Sequence, residues 1–200
     1  ISLPGSRTEG DGYFKGGEFL GWNYFVNVSK KINDAHRLSF TAFGAPQKHN
    51  QRGNKALIED YRKHRDGIRM NTSYGYINGQ VVPTGYGYNE YHKPQMSLNH
   101  FWNINDHSNL STAVYVSKST GGGKRVYGDD KNRLQYDYQT GRPYAETSLT
   151  PEGLIDYESV MRDNAASVNG SSVVFTMETN AHDWYGLLST YTNNLSESLC

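Results

Sequence analysis

The chain has 200 residues, enough for one domain with a sizeable core. Its 20 Lys and Arg balance 20 Asp and Glu, so nothing electrostatic argues for binding to nucleic acid or to an anionic membrane surface. Mean hydropathy is -0.76, and no apolar run approaches the roughly 20 residues of a transmembrane helix. That excludes helical spans but not strands, which need lipid-facing apolar residues only at alternate positions.

Aromatic residues and glycine are abundant, with 16 Tyr, 3 Trp, 7 Phe and 21 Gly. Tyrosine suits membrane interfaces and sugar- or peptide-binding surfaces alike. The single cysteine is Cys200, so the chain forms no internal disulfide. The first residue is Ile1, no signal peptide is visible, and both ends cut into patterned sequence. The expectation is an internal piece of a longer protein.

In chain order, the first alternating run spans residues 20–28. Leu20, Trp22, Tyr24, Val26 and Val28 mark one face, and Gly21, Asn23, Phe25 and Asn27 the other. A polar turn at 29–35 leads to a second run, with Leu38, Phe40, Ala42 and Gly44 against Arg37, Ser39, Thr41 and Phe43. These two runs form a hairpin. A third run sets Met96, Leu98, Trp102 and Ile104 against Gln95, Ser97, Asn99 and Asn103, with His100 and Phe101 as exceptions. After a turn at 105–109, a fourth sets Leu110, Thr112, Val114 and Val116 against Ser111, Ala113, Tyr115 and Ser117. A fifth strand is expected over 184–195.

The connections are unequal. Short polar turns join strands one to two and three to four, and very long segments join two to three and four to five. In the first long segment, residues 56–64 carry Ala56, Leu57 and Tyr61 at helical spacing. Residues 74–82 read as a small hairpin with Asn78-Gly79 at a type I′ turn. In the second, Gly121-Gly122-Gly123 is expected to break the strand. Thr150 reads as an N-cap with Pro151 at the first helical position, and Leu154, Ile155, Val160 and Met161 would form the helix's apolar side.

None of the seven histidines forms an H-x-x-x-H pair, and His100 and His107 flank a turn at a poor metal spacing, so no metal or cofactor is expected. His49 and His92 flank the first long segment and are placed to stabilise its base. The acidic pairs Glu59-Asp60 and Asp129-Asp130 are adjacent in sequence, where carboxylates point apart rather than across a cleft. No nucleophile-elbow pattern occurs, and Gly16-Gly17-Glu18-Phe19 falls one residue short of a cyclic-dinucleotide cyclase signature, so no enzyme is expected. Tyr74, Tyr76, Tyr86, Tyr88 and Tyr91 cluster in or beside the first long segment. They are ligand-contact candidates, although a long ordered loop packing on its own tyrosines is the plainer reading.

Three blocks carry a resemblance. They run from His36 through Phe40, Pro46 and His49 to Arg52, from Tyr91 through Pro94 and Leu98 to Trp102, and from Asn180 through Trp184 to Thr190. The chain resembles the barrel region of TonB-dependent receptors of the Bacteroidota type. The resemblance implies that residues 1–200 are part of an antiparallel transmembrane β-barrel of 22 strands, with long extracellular loops carrying short helices. It implies an outer-membrane location and import of a scarce, bulky ligand such as a siderophore, cobalamin, haem or an oligosaccharide. It also implies partners: the TonB complex, acting through a plug domain that this sequence lacks; outer-membrane lipid; and, in one branch, a surface lipoprotein. The apolar positions Leu20, Val26, Leu38, Phe40, Leu98 and Val114 would then face lipid, and Asn23, Asn27, Ser39, Thr41, Ser97 and Asn99 the lumen. Trp22, Tyr24 and Trp102 would mark the interfaces. The rival expectation is a soluble, secreted, β-rich carbohydrate-binding module.

Overall fold

The computed structural model describes residues 1–82 and 87–194; Tyr86, Leu195 and Cys200 lie outside the described residues. The protein is mainly β, built on a large antiparallel sheet with two short helices. In chain order the elements are β1 (Gly5–Gly10), β2 (Phe19–Lys31), β3 (His36–Gly44), β4 (Gln47–His49), α1 (Ile58–Lys63), β5 (Gly75–Ile77), β6 (Gln80–Val82), β7 (Asn89–His92), β8 (Gln95–Asn105), β9 (Ser108–Gly128), β10 (Ile155–Asp156), α2 (Tyr157–Ala166) and β11 (Val173–Asn193).

The pairings β2–β3, β3–β8, β8–β9, β9–β7, β7–β4 and β4–β2 return on themselves. Register shows what this near-ring is. Tyr24 pairs with Gly44 and Gly21 with Gln47, so three steps back along β2 match three steps forward from β3 into β4. Phe43 pairs with Gln95 and Gln47 with Tyr91, a matched four steps. Gln95 pairs with Ser117 and His92 with Thr120, a matched three. β3 and β4 are therefore two halves of one bent strand, as are β7 and β8. The sheet is an open meander, with β1 against β2 at one edge and β11 against β9 at the other.

Both bends fall at proline. Pro46 and Pro94 have no N–H to give the ladder. Their carbonyls are satisfied: Trp22 N–H donates to Pro46 O at 2.9 Å, and Ser117 Oγ donates to Pro94 O at 2.8 Å. The break costs pairing without leaving these acceptors orphaned.

Register, continuous but for a shift between Asn103 and Asn105, sorts the side chains into two faces. On one, Val28, Phe40, Leu98, Val114 and Leu187 form a cross-strand row. Val26, Ala42, Met96, Val116 and Tyr185 form the next row. Most of these are open to the surroundings: Leu98 is 49 % exposed, Val114 52 % and Leu187 68 %. The opposite face carries Asn23, Asn27, Ser39, Thr41, Ser97 and Asn99, where Asn27 Nδ2 donates to Thr41 Oγ1 at 2.8 Å. The division of residues between faces expected from alternation holds in these four strands except at Ile104, which sits in a register irregularity between Asn103 and Asn105 and has no ladder partner to fix its face. His100 falls on the apolar face, its Nε2 3.0 Å from Nδ1 of His36, whose ring also stacks against Trp102, and Phe101 falls on the polar face under Arg37.

Two short turns and the outward end of β11 lie at one end of the sheet, and residues 11–18, 50–88 and 129–172 connect strands at the other. The long segments interlock. Asn71 Nδ2 donates to Lys15 O, Asn54 Nδ2 to Tyr136 O and Tyr157 Oη to Ser73 O, while β10 adds in parallel to the β5–β6 hairpin. Among the described residues, the buried apolar side chains other than Ala42 gather here: Met70, Tyr74, Leu134, Tyr136, Leu154, Ile155, Tyr157 and Val160, with Val173 at the base of β11. The protein's dry core thus lies in its connections, not under its sheet.

Several expectations hold locally. The first long segment has its helix, α1, and the hairpin turns at Asn78 (φ 49) and Gly79 (φ 77) as the Asn-Gly pair demands. Others are corrected. Gly121-Gly122-Gly123 does not break the strand, since β9 runs through it to Gly128. A Cβ at 121 would meet the Tyr91 backbone and Cβ, and one at 122 would meet the Glu178 carbonyl, so these glycines permit close approach of β7 and β11. No helix starts at Thr150. Gly153 turns the chain at φ +81, Leu154 and Ile155 extend into β10, and α2 begins at Tyr157, with Asp156 capping the Ser159 N–H at 2.9 Å. Leu154, Ile155 and Val160 are buried nonetheless, while Met161 is exposed. The fifth strand begins at Val173 rather than 184, and β1 is an additional strand.

Candidate functional site

The five tyrosines do not form one surface. Tyr74 is 2 % exposed and donates its hydroxyl to Asp66, and burial ahead of that bond pushes its pKa up. It is a core residue of the interlocked loops. Tyr76 lies on β5, half-buried opposite Val81. Tyr88 is pushed up to about 12, first by burial and then by the bond it donates to Glu90. Tyr86 lies outside the described residues. Tyr91 alone stands on the polar face of the sheet, on β7 between Gln47 and Gly121. His49 and His92 both sit at the base of the first long segment but on opposite faces. His49 Nε2 lies 2.8 Å from Gln51 Nε2, and His92 Nε2 3.0 Å from Tyr24 Oη.

Tyr91 belongs to a register row that crosses all six strand paths: Thr8, Gly21, Gln47, Tyr91, Gly121 and Asn180. The next row toward the loops is Gly10, Phe19, His49, Asn89, Gly123 and Glu178. Glycine interrupts both rows, and two recesses lie along them. One of about 350 Å³ lies over Gly21, beside Thr8, Asn23 and Gln47. Another of about 240 Å³ lies over Gly121 and Gly123, beside Tyr91, Arg125, Asn180 and His182. Gln47 and Tyr91 stand between them.

The electrostatics of this patch are close to balanced. Arg125 pairs with Glu178 at 3.6 Å, and Lys93 Nζ lies 5.5 Å from the centre of the Tyr91 ring. Ser119 Oγ is 2.7 Å from His182 Nδ1. Side-chain amides supply most of the remaining polarity, and each both donates and accepts. Chemically the patch offers hydrogen bonds in both directions beside one aromatic face. Among the described residues, no three His, Cys, Asp or Glu groups come together as a metal cage. A further recess, about 600 Å³, opens on the other face, where Leu20, Trp22, Pro46, Met177 and Ala181 make a mainly apolar lining that Lys48, Glu90, His92 and Thr120 interrupt.

Sequence reasoning singled out Tyr91 but missed Thr8, Gln47, Asn89 and Asn180. Those residues are dispersed along the chain and meet only through five ladders in register. The one available signal was glycine inside strands, at Gly21 and Gly121–Gly123, which marks close approach or open space. No protein-family model, curated protein or solved structure matches this chain.

Proposed function

We propose that this chain is a sector of the wall of an outer-membrane β-barrel, that of a TonB-dependent receptor importing a scarce, bulky ligand. The observation that carries the reading is the exposed apolar face. Two complete rows, from Val28 to Leu187 and from Val26 to Tyr185, lie on a sheet against which, among the described residues, no second layer packs on that side. Soluble monomers rarely expose so continuous an apolar surface, while a bilayer requires one. Charge bounds the band: Lys30 flanks it on the short-turn side, and the Lys118–Asp183 pair, at 4.0 Å, on the loop side. His36, Trp102 and Tyr191 lie toward the short-turn rim and Trp22 and Tyr24 toward the loop rim, where amphipathic rings suit the headgroup region.

The free sides of β1 and β11 fit the same reading, because a barrel pairs every edge with further strands. Short turns at one end and structured segments at the other match periplasmic and extracellular sides. The TonB complex, a plug and a surface lipoprotein enter only through the family resemblance and act on the parent assembly.

The test is depth-resolved fluorescence. Single-tryptophan variants retaining Trp22, Trp102 or Trp184 are reconstituted into vesicles containing brominated phosphatidylcholine. Trp22 and Trp102 are expected to be quenched, and Trp184, on the polar face, to be spared. Equal quenching of all three, or a protein that stays soluble and unquenched, removes the barrel reading in favour of a secreted binding module.

A further inference from the structure

We infer that the two glycine-floored recesses flanking Gln47 and Tyr91 form a binding site for a neutral, polyhydroxylated ligand, a chain of sugar rings, on the lumen-facing side of the wall. The inference rests on the barrel reading for the word lumen; the site itself rests on geometry. The recesses lie in the same register rows, on the same face, with one amide and one phenol side chain as the ridge between them. Such a ridge with a hollow on either side fits consecutive rings of an oligomer better than one compact ligand.

The side chains choose the chemistry. A sugar hydroxyl both donates and accepts, and so do the amides of Asn23, Gln47 and Asn180 and the hydroxyl of Thr8. The face of a sugar ring is a patch of C–H bonds, and Tyr91 offers a ring against which such a patch can pack. A ferric siderophore or haem carries anionic groups that call for an excess of cations. Here the Arg125 guanidinium already faces the Glu178 carboxylate at 3.6 Å, which leaves Lys93 as the cation beside the ring. Gly21 matters as an absence of side chain, whereas Gly121 and Gly122 admit the close approach of β7 and β11. Nothing but the Gln47 Cβ, at 3.9 Å, would approach a Cβ at position 21, so that floor stays open because the residue there is small and not because the backbone needs it.

The experiment is titration calorimetry of the full chain in detergent. The probes are hexasaccharides of neutral sugars (gluco-, manno- and xylo-oligomers), with a hexagalacturonate and a ferric tris-catecholate as charged comparisons. At least one neutral hexasaccharide is expected to bind, and Tyr91→Ala and Asn180→Ala each to weaken it at least tenfold. Asn180 is exposed on β11, so its variant keeps the test valid if Tyr91→Ala fails to fold. Gly21→Leu, which fills one recess, is expected to abolish binding of the hexamer more than that of a disaccharide. Binding of the catecholate or the galacturonate alone, binding of no probe, or neutral-sugar binding unaffected by Tyr91→Ala and Asn180→Ala overturns the inference. Quenching of Trp22 in brominated vesicles without sugar binding sinks this inference and leaves the barrel reading. Sugar binding by a protein that does not enter vesicles keeps the site and sinks the barrel.

Discussion

The ring of Tyr115 lies over Gly186, its direct partner across β9 and β11, and fills the space a side chain there would take. The same arrangement recurs where Tyr24 covers Gly44 and Phe19 covers Gly10, each pair directly opposed in its ladder. An aromatic ring laid across a strand glycine shields backbone that would otherwise stand bare. It also explains why so glycine-rich a chain holds long strands. Gly186→Val should therefore displace the Tyr115 ring and disturb its edge-to-face contact with Trp184 at 5.5 Å. The expected cost is about 1–3 kcal/mol, typical of overpacking. Urea unfolding of the detergent-solubilised protein measures it, and an unchanged midpoint would contradict the packing described.

The two faces predict opposite tolerances. Leu98→Arg and Val26→Arg place a charge in the apolar rows and should cost about 2–4 kcal/mol near a bilayer midplane. Ser97→Arg, one residue away on the polar face, should cost far less. Folding titrations into lipid vesicles provide the comparison. Equal penalties for Leu98→Arg and Ser97→Arg would mean that the apolar face does not meet hydrocarbon.

Tyr157 ties α2 to the first long segment through the bond it donates to the Ser73 carbonyl at 2.8 Å, in a buried setting. Tyr157→Phe should cost about 1–3 kcal/mol by leaving that acceptor without its buried donor. The loss belongs to the interlocked loops and not to the sheet. Limited proteolysis should accordingly cut residues 50–88 and 129–172 faster while the strands stay protected.

His64 gives the loops a pH dependence of known sign. Burial holds its pKa below the usual histidine value, with the neighbouring Asp66 carboxylate opposing that shift. The folded form thus resists protonation more than the unfolded form. Its stabilising contribution is complete above the ordinary histidine pKa of roughly 6.5 and falls as pH drops toward the lowered folded value. Hydrogen exchange in peptides covering residues 57–74, corrected for intrinsic rate, should quicken between pH 7.5 and 5.5. His64→Gln should remove most of that change, and a change that survives the substitution would locate the pH effect elsewhere.

Legibility followed periodicity. The four strands with clean alternation, from Leu20 to Val116, could be read with their faces, because a half-exposed strand writes its environment at every second residue. β1 reads Gly-Ser-Arg-Thr-Glu-Gly and has no apolar phase to detect. The glycine triplet looks like a stop, yet β9 passes through it, and the paired bends at Pro46 and Pro94 carry no signal of their own in the alternation. Thr150-Pro151-Glu152 has the form of a helix start, but Gly153 and the Asp156 cap place it six residues later, with Tyr157 rather than Pro151 as the first helical residue. For the candidate site, Tyr91 could be found by composition. Its partners could not, because Thr8 and Asn180 become neighbours of the same row only after every intervening register is known.

That shared register has a consequence for how this sequence can change over time. Adding or deleting one residue inside a strand of the sheet, for instance between Gly44 and Gln47, would exchange the two faces for the remainder of that strand unless a bulge absorbed it, as the shift between Asn103 and Asn105 does. It would turn Gln47 and its row away from their partners. The sheet thus resists length variation, while the segments at 11–18, 50–88 and 129–172 attach at one end and can lengthen or shorten without shifting any ladder. Novelty in this protein can enter through its connections by insertion, but through its sheet mainly by substitution.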